Sequence, residues 1–231
     1  MSYMRGLTMF IADIRNCPNK EAEVKRVEKE MHKIREKFGG NKPLTGYYKK
    51  KYVWKMLYMH MLGYEVDFGE EEVLSLIGAI KQSEKMCGYI AIGILLQDKT
   101  DMLARLTSTI RADILSGNEF HQSLSLSTVA NIASNEFAED LASDVVRILF
   151  GGGRKTTVYI KKKALITLAR LYKKNKKVLK TDDWASHVPR LLDLKDIGFL
   201  TAVLSLLLVL LADQPCDYFI DAVPKLVKKL H

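Results

Sequence analysis

The sequence predicts an all-α protein of the HEAT/armadillo type, an α-solenoid of helical hairpins wound into a right-handed superhelix. Three observations carry this expectation. Apolar residues recur at helical spacing almost throughout, and no segment reads convincingly as a strand. The connections between helical segments are short. The more apolar helices end near Leu96, Ala133, Tyr172 and Leu211, a recurrence of 37, 39 and 39 residues, and HEAT and armadillo repeats run to roughly 40–47. One hairpin cannot bury its apolar face alone, so neighbours stack.

The first clear helix spans Lys20–Phe38. Its apolar residues Val24, Val27, Met31, Ile34 and Phe38 step by 3, 4, 3 and 4, which lays one apolar stripe on a charged helix. Asn19 is placed to cap it, Glu21 and Glu23 suit the positive end of the dipole, and Gly39-Gly40 ends it. The same periodicity predicts helices over Tyr47–Gly63, Glu70–Lys81, Glu84–Leu96, Asp101–Ser116, His121–Ala133, Asn135–Phe150, Thr156–Lys174, Asp182–Leu192, Asp196–Leu211 and Cys216–Leu230. Residues 1–231 read as one solenoid segment, with residues 1–69 as N-terminal helices that carry a basic cluster. The last helix runs to His231 without a distinctive cap. It is expected to be the front of a longer rod, with a short gene product as the alternative.

Composition narrows the function. Cys17, Cys87 and Cys216 lie far apart with no CxxC pair, which suits a reduced cytosolic protein without structural zinc. Met1–Phe10 has no signal-peptide core. Ile197–Ala212 runs 16 residues and is apolar except for Thr201 and Ser205; it is short for a bilayer span of roughly 17–25 and reads as a buried repeat helix. Charge is segregated: residues 1–55 carry +8, 56–153 carry −8, 154–180 carry +11 with no acid, and 181–231 carry −2. Two basic blocks imply contact with an anionic partner and leave open whether it is lipid, nucleic acid or protein.

No catalytic constellation emerges. Gly151-Gly152-Gly153-Arg154-Lys155-Thr156 fails the phosphate-loop pattern, because Arg154 stands where glycine must precede the lysine and a helix precedes the segment. It reads as a turn between repeats. His32, His60, His121, His187 and His231 are scattered, and none sits at ligand or triad spacing. Asp182-Asp183 and Glu70-Glu71-Glu72 fall at helix starts, where acids serve as caps. The reading is non-enzymatic, with no cofactor and no metal.

The feature that stands out is Tyr47-Tyr48-Lys49-Lys50-Lys51-Tyr52-Val53-Trp54-Lys55. Three consecutive lysines on a helix fan over about 200°. A helix start disfavours cations, yet its free N–H groups together with the ammonium groups suit a phosphate. Gly46 would let backbone approach a ligand, and Lys37 and Lys42 flank the run. Each cation near an anionic leaflet contributes about 1 kcal/mol. From composition alone, a solvated charge run is equally good.

These residues resemble a known family. Arg5-Gly6-Leu7, the run Phe10–Cys17, Lys20-Glu21-Ala22-Glu23-Val24-Lys25-Arg26, Gly46-Tyr47 with Lys49–Val53, and Asp67-Phe68-Gly69 look like the opening of the alpha-adaptins, large subunits of the plasma-membrane clathrin adaptor. Ala164-Leu165-Ile166 through Arg170-Leu171-Tyr172 resembles a later trunk repeat. Tyr58–Tyr64 looks more like the gamma-adaptins of Golgi and endosome.

The resemblance implies a scaffold that joins beta, medium and sigma subunits and links clathrin to cargo at the cytoplasmic face of the plasma membrane. It further implies a phosphatidylinositol 4,5-bisphosphate site at Lys49, Lys50, Lys51 and Tyr52, with Arg5, Lys37, Lys42, Tyr47 and Lys55 around the headgroup. Gly39 stands where the family usually has lysine, which makes the pocket one cation poorer. Arg15 falls where the family receives the acidic residue upstream of a dileucine cargo signal. The block 154–180 is richer in lysine than the family suggests and reads as an extra anionic contact or as solvated surface. A gamma-adaptin-like Golgi/endosomal adaptor subunit, a basic nucleic-acid-binding repeat and a partner platform with no lipid role are the competing readings; no nucleic acid is expected.

Overall fold

The computed structural model describes residues 4–95, 100–150, 156–179, 184, 187–193, 195–213, 220 and 223–230. The chain divides into two compact units, Met1–Leu103 and Ala104–His231. No strand occurs among the described residues.

The first unit holds α1 (Arg5–Arg15), α2 (Lys20–Phe38), α3 (Gly46–Met61), α4 (Glu70–Ile77) and α5 (Gln82–Leu95). Periodicity did not predict α1: it buries only Phe10 and Ile14 and has no side-chain cap, so it carries little apolar rhythm. α2 has the expected bounds, and Asn19 Oδ1 accepts from Ala22 N–H at 2.9 Å. α3 is the centre of the unit and packs against α1, α2, α4 and α5. Its buried face comprises Tyr52, Val53, Lys55, Met56, Leu57 and Met59. α4 stops at Ile77, short of the expected Lys81, and α5 starts two residues earlier than expected. The reason is a close crossing. A Cβ on Gly88 of α5 would lie 2.8 Å from the backbone nitrogen of Ile77, so the end of α4 rests on bare helix backbone.

The second unit takes in most of α6 (Thr100–Leu115), followed by α7 (Glu119–Asn131), α8 (Asn135–Phe150), α9 (Val158–Lys174), a 3-10 turn at Lys176–Val178, α10 (Val188–Leu191), α11 (Ile197–Leu211) and α12 (Val223–Leu230). α9 packs on α7, α8 and α11, so alternate helices stack with an intervening one alongside. The hydrogen bonds repeat the period. Tyr159 with Ser123, Lys163 with Ser127 and Thr167 with the Leu126 carbonyl join residues 36, 36 and 41 apart. Stacked hairpins of the HEAT/armadillo kind are thus what each unit contains. α11 buries Phe199, Ala202, Val203, Leu206, Leu207 and Leu210 while Ile197 and Leu208 face outward. No helix among the described residues is long and apolar enough to cross a membrane. The expected glycine turn over residues 151–155, the Asp182-Asp183 cap, Cys216 and the beginning of the last expected helix lie outside the described residues.

Candidate functional site

The lysine run divides as it leaves α3. Lys49 Nζ donates to Ser75 Oγ of α4 at 2.7 Å and Lys50 Nζ donates to Ser83 Oγ of α5 at 3.0 Å. Lys51 turns the other way. Its stem passes Gly6 of α1, and its ammonium group lies 4.6 Å from the ring centroids of both Tyr48 and Tyr52. A rotation of about 100° per residue requires this split.

Burial lowers the Lys51 pKa, and the neighbouring cations Lys55, Lys33 and Lys37 lower it further against a weaker opposing pull from Glu30. Among the described residues no carboxylate pairs with Lys51. Lys33 and Lys37 stand one turn apart on the exposed face of α2, Arg5 is exposed beside Gly6, and Lys42 is exposed ahead of α3. Lys33 was missed in the sequence. The available signal was the spacing of Lys29, Lys33 and Lys37, four residues apart on one face of α2. Lys33 adds a cation to the group formed by Lys37, Lys51 and Lys55.

Two expected site residues are turned inward. Lys55 is 5 % exposed and pairs with Glu30, itself 3 % exposed. The second Glu30 oxygen accepts from Arg26 at 2.9 Å, and Arg26 reaches Asp13 at 3.0 Å. Phe10 fills the space beneath, with Arg26 and Lys55 at 4.9 and 5.2 Å from its ring centroid. Burial pushes the Glu30 carboxyl up, but the hydrogen bonds from Lys55 and Arg26 outweigh it and hold the group below its ordinary value. Lys55 therefore joins α1, α2 and α3 from within and offers no free charge to a ligand. Tyr52 is likewise buried, edge-on to Phe38 at 5.9 Å and stacked on Tyr48 at 6.5 Å. Its ring is a wall behind Lys51.

The start of α3 also differs from expectation. Gly46 does make room for an anion, but the anion is Glu84 of α5: a Cβ on Gly46 would lie 2.1 Å from Glu84 Oε2. Thr45 supplies no side-chain cap, and the internal carboxylate takes the place at the positive helix end that a phosphate would take. Tyr47 and Tyr48 remain exposed beside it, their ring centroids 5.5 Å apart.

Arg15 is exposed in the last turn of α1. The second basic block is partly structural. Lys162 pairs with Asp196 at 3.5 Å, Lys163 binds Ser127 and the Ser123 carbonyl, and Lys176 pairs with Asp213. Arg170, Lys173, Lys174 and Lys177 are exposed. Cys87 is buried, which pushes its thiol up to about 12.

Comparison with known proteins gives a consistent picture. The family model "Adaptin N terminal region" matches residues 23–231. The AP-2 complex subunit alpha-1 of Arabidopsis thaliana is 47 % identical over 230 residues, all of this chain and 22 % of that protein. The AP-2 complex subunit alpha-2 of Dictyostelium discoideum is 40 % identical over 98 % of this chain and 23 % of its own length. The AP-1 complex subunit gamma-1 of Mycosarcoma maydis is 31 % identical over 97 % of this chain and 25 % of its own. The chain thus spans about a quarter or less of the length of these relatives. With the matched region running through both helical units, the chain belongs to the adaptin N-terminal region family.

Proposed function

We propose that this chain is part of the large-subunit scaffold of an alpha-type clathrin adaptor complex, working with beta, medium and sigma subunits at the cytoplasmic face of the plasma membrane in coated pits. The higher identity to alpha than to gamma subunits supports the compartment. In this reading the basic surface of the first unit docks on phosphatidylinositol 4,5-bisphosphate.

The observation that carries the docking is the charge around Lys51: a half-buried ammonium group among Lys33 and Lys37, with no carboxylate partner among the described residues and Arg5 exposed next to Gly6. A phosphate there relieves repulsion between like charges and replaces lost hydration. Lys49 and Lys50 add a second arm on the α4–α5 side, where their ammonium groups donate to serine hydroxyls that an anion can displace. Lys42 and Tyr47 flank that arm, while Lys55 and Tyr52 hold the scaffold behind it.

Co-sedimentation with phosphatidylcholine vesicles, with and without the bisphosphorylated lipid, tests this. At about 1 kcal/mol per cation, K49Q/K50Q/K51Q lowers binding roughly a hundred-fold. Equal binding by parent and variant removes the site.

Arg15 carries a second role in this reading, receiving the acidic residue upstream of a dileucine signal once a sigma subunit is present. Its exposed position at the end of α1 supports this. Arg15→Ser should abolish capture of such a peptide by the assembled subunits and leave vesicle binding intact; unchanged peptide capture would exclude the role.

A further inference from the structure

Ile80 is 96 % exposed, more than any other large apolar side chain described. A single exposed aliphatic residue ordinarily needs no explanation. This one has particular surroundings. It sits in the turn between α4 and α5, next to Lys81, whose side chain is 78 % exposed and whose ammonium group stands 3.8 Å from the Glu84 carboxylate. The turn is straddled by the two cations of the lysine run, Lys49 on Ser75 before it and Lys50 on Ser83 after it. Because the Glu84 carboxylate rests on Gly46, the first turn of α5 abuts the first turn of α3, where Tyr47 and Tyr48 project at 38 % and 45 % exposure. One edge of the unit therefore presents an aliphatic tip, two tyrosines and three lysines. That combination suits the boundary between headgroups and acyl chains: amphipathic rings at headgroup level, ammonium groups on lipid phosphates and an aliphatic side chain below them.

We infer that the α4–α5 turn is a membrane-inserting edge, with Ile80 entering the acyl boundary of an anionic bilayer while Lys49, Lys50 and Lys81 hold the phosphates above it. The inference rests on the docking reading and adds a hydrophobic component that a soluble headgroup does not engage. Substitution at Ile80 should leave the fold intact, since the side chain touches almost nothing.

The test uses the chain with phosphatidylcholine vesicles containing phosphatidylserine and phosphatidylinositol bisphosphate, and, separately, the soluble inositol bisphosphate headgroup. Ile80→Ser, which removes the aliphatic tip without adding charge, should weaken vesicle binding about ten-fold and leave headgroup binding unchanged. Ile80→Trp should bind vesicles with a blue-shifted emission, quenched by lipids brominated on the acyl chain and absent from the parent, whose Trp54 and Trp184 supply the baseline. Vesicle binding by the parent without quenching in Ile80→Trp, or with full binding by Ile80→Ser, overturns the insertion and leaves the headgroup site standing. Failure of the parent to bind either vesicles or headgroup overturns both.

Discussion

Lys55 and Glu30 are each almost wholly removed from water, and each is tolerable there because of the other. Removing one member of a buried pair leaves a stranded charge, at a cost of about 3–5 kcal/mol. Glu30→Gln should accordingly lower the melting temperature of the first unit sharply, and the apolar double variant E30L/K55M should recover most of the loss. A melt of Glu30→Gln that superimposes on the parent would mean the pair is not load-sharing. The pair also sets a pH dependence. The folded-state pKa of Glu30 lies below its ordinary 4.5, so its contribution is complete above that value and disappears as the pH falls through the lower folded value. Acid melts of the parent should lose stability in that range, and E30L/K55M should show a shallower slope.

Clustering made Lys49–Lys51 legible, whereas the inward course of Lys55 needed the periodicity of α3. Lys55 stands three residues after Tyr52 and four before Met59, on the stripe that the apolar residues define, and only a partner from another helix makes that position possible. The pairing of Glu30 with Lys55 and the seat of Glu84 on the start of α3 were illegible for the same reason: each joins two different helices, across 25 residues in the first case.

The element boundaries obey local chemistry where caps are local. α2 begins and ends where apolar period and capping residues predict, at Lys20–Phe38, and α8 keeps the bounds its apolar period predicts, Asn135–Phe150. α4 and α5 do not, because their junction is decided by contact across helices. Gly88→Ala places a methyl group 2.8 Å from the Ile77 backbone nitrogen. Backbone cannot swing aside as a side-chain end can, so overpacking should cost about 1–3 kcal/mol, read as a melting temperature lowered by several degrees; an unchanged melt would deny the close crossing. Glu84 governs the neighbouring junction differently. Its carboxylate neutralises the positive start of α3 and lowers the positive potential around Lys49, Lys50 and Lys81. Glu84→Gln should lose about 0.3–1 kcal/mol of stability while binding anionic vesicles a few-fold more tightly. Weaker vesicle binding would show that Glu84 supports the basic surface instead of competing with it.

Across the whole chain, the repeat period and the charge segregation were both visible in the sequence, but they answer different questions. The period follows from burial, which every hairpin needs from its neighbour, and it returns in hydrogen bonds that join residues 36 to 41 apart. Charge segregation says where cations are dense and not which of them are occupied. Residues 154–180 carry +11, yet Lys162, Lys163 and Lys176 hold α9 and its following turn to adjoining segments. Arg170, Lys173, Lys174 and Lys177 face water.

The two groups should separate on substitution. Lys163→Met removes a half-buried ammonium group from two oxygen acceptors and should destabilise the second unit by about 1.5–3 kcal/mol. K162Q and K176Q, which remove exposed pairs, should cost no more than about 1 kcal/mol each. The triple variant K173Q/K174Q/K177Q should melt with the parent, because these side chains are exposed and make no ion pair among the described residues. Calorimetry on the set decides the matter. Equal destabilisation by Lys163→Met and the triple variant would mean that the block acts through its summed charge, and that the separation of structural from solvated lysines is wrong.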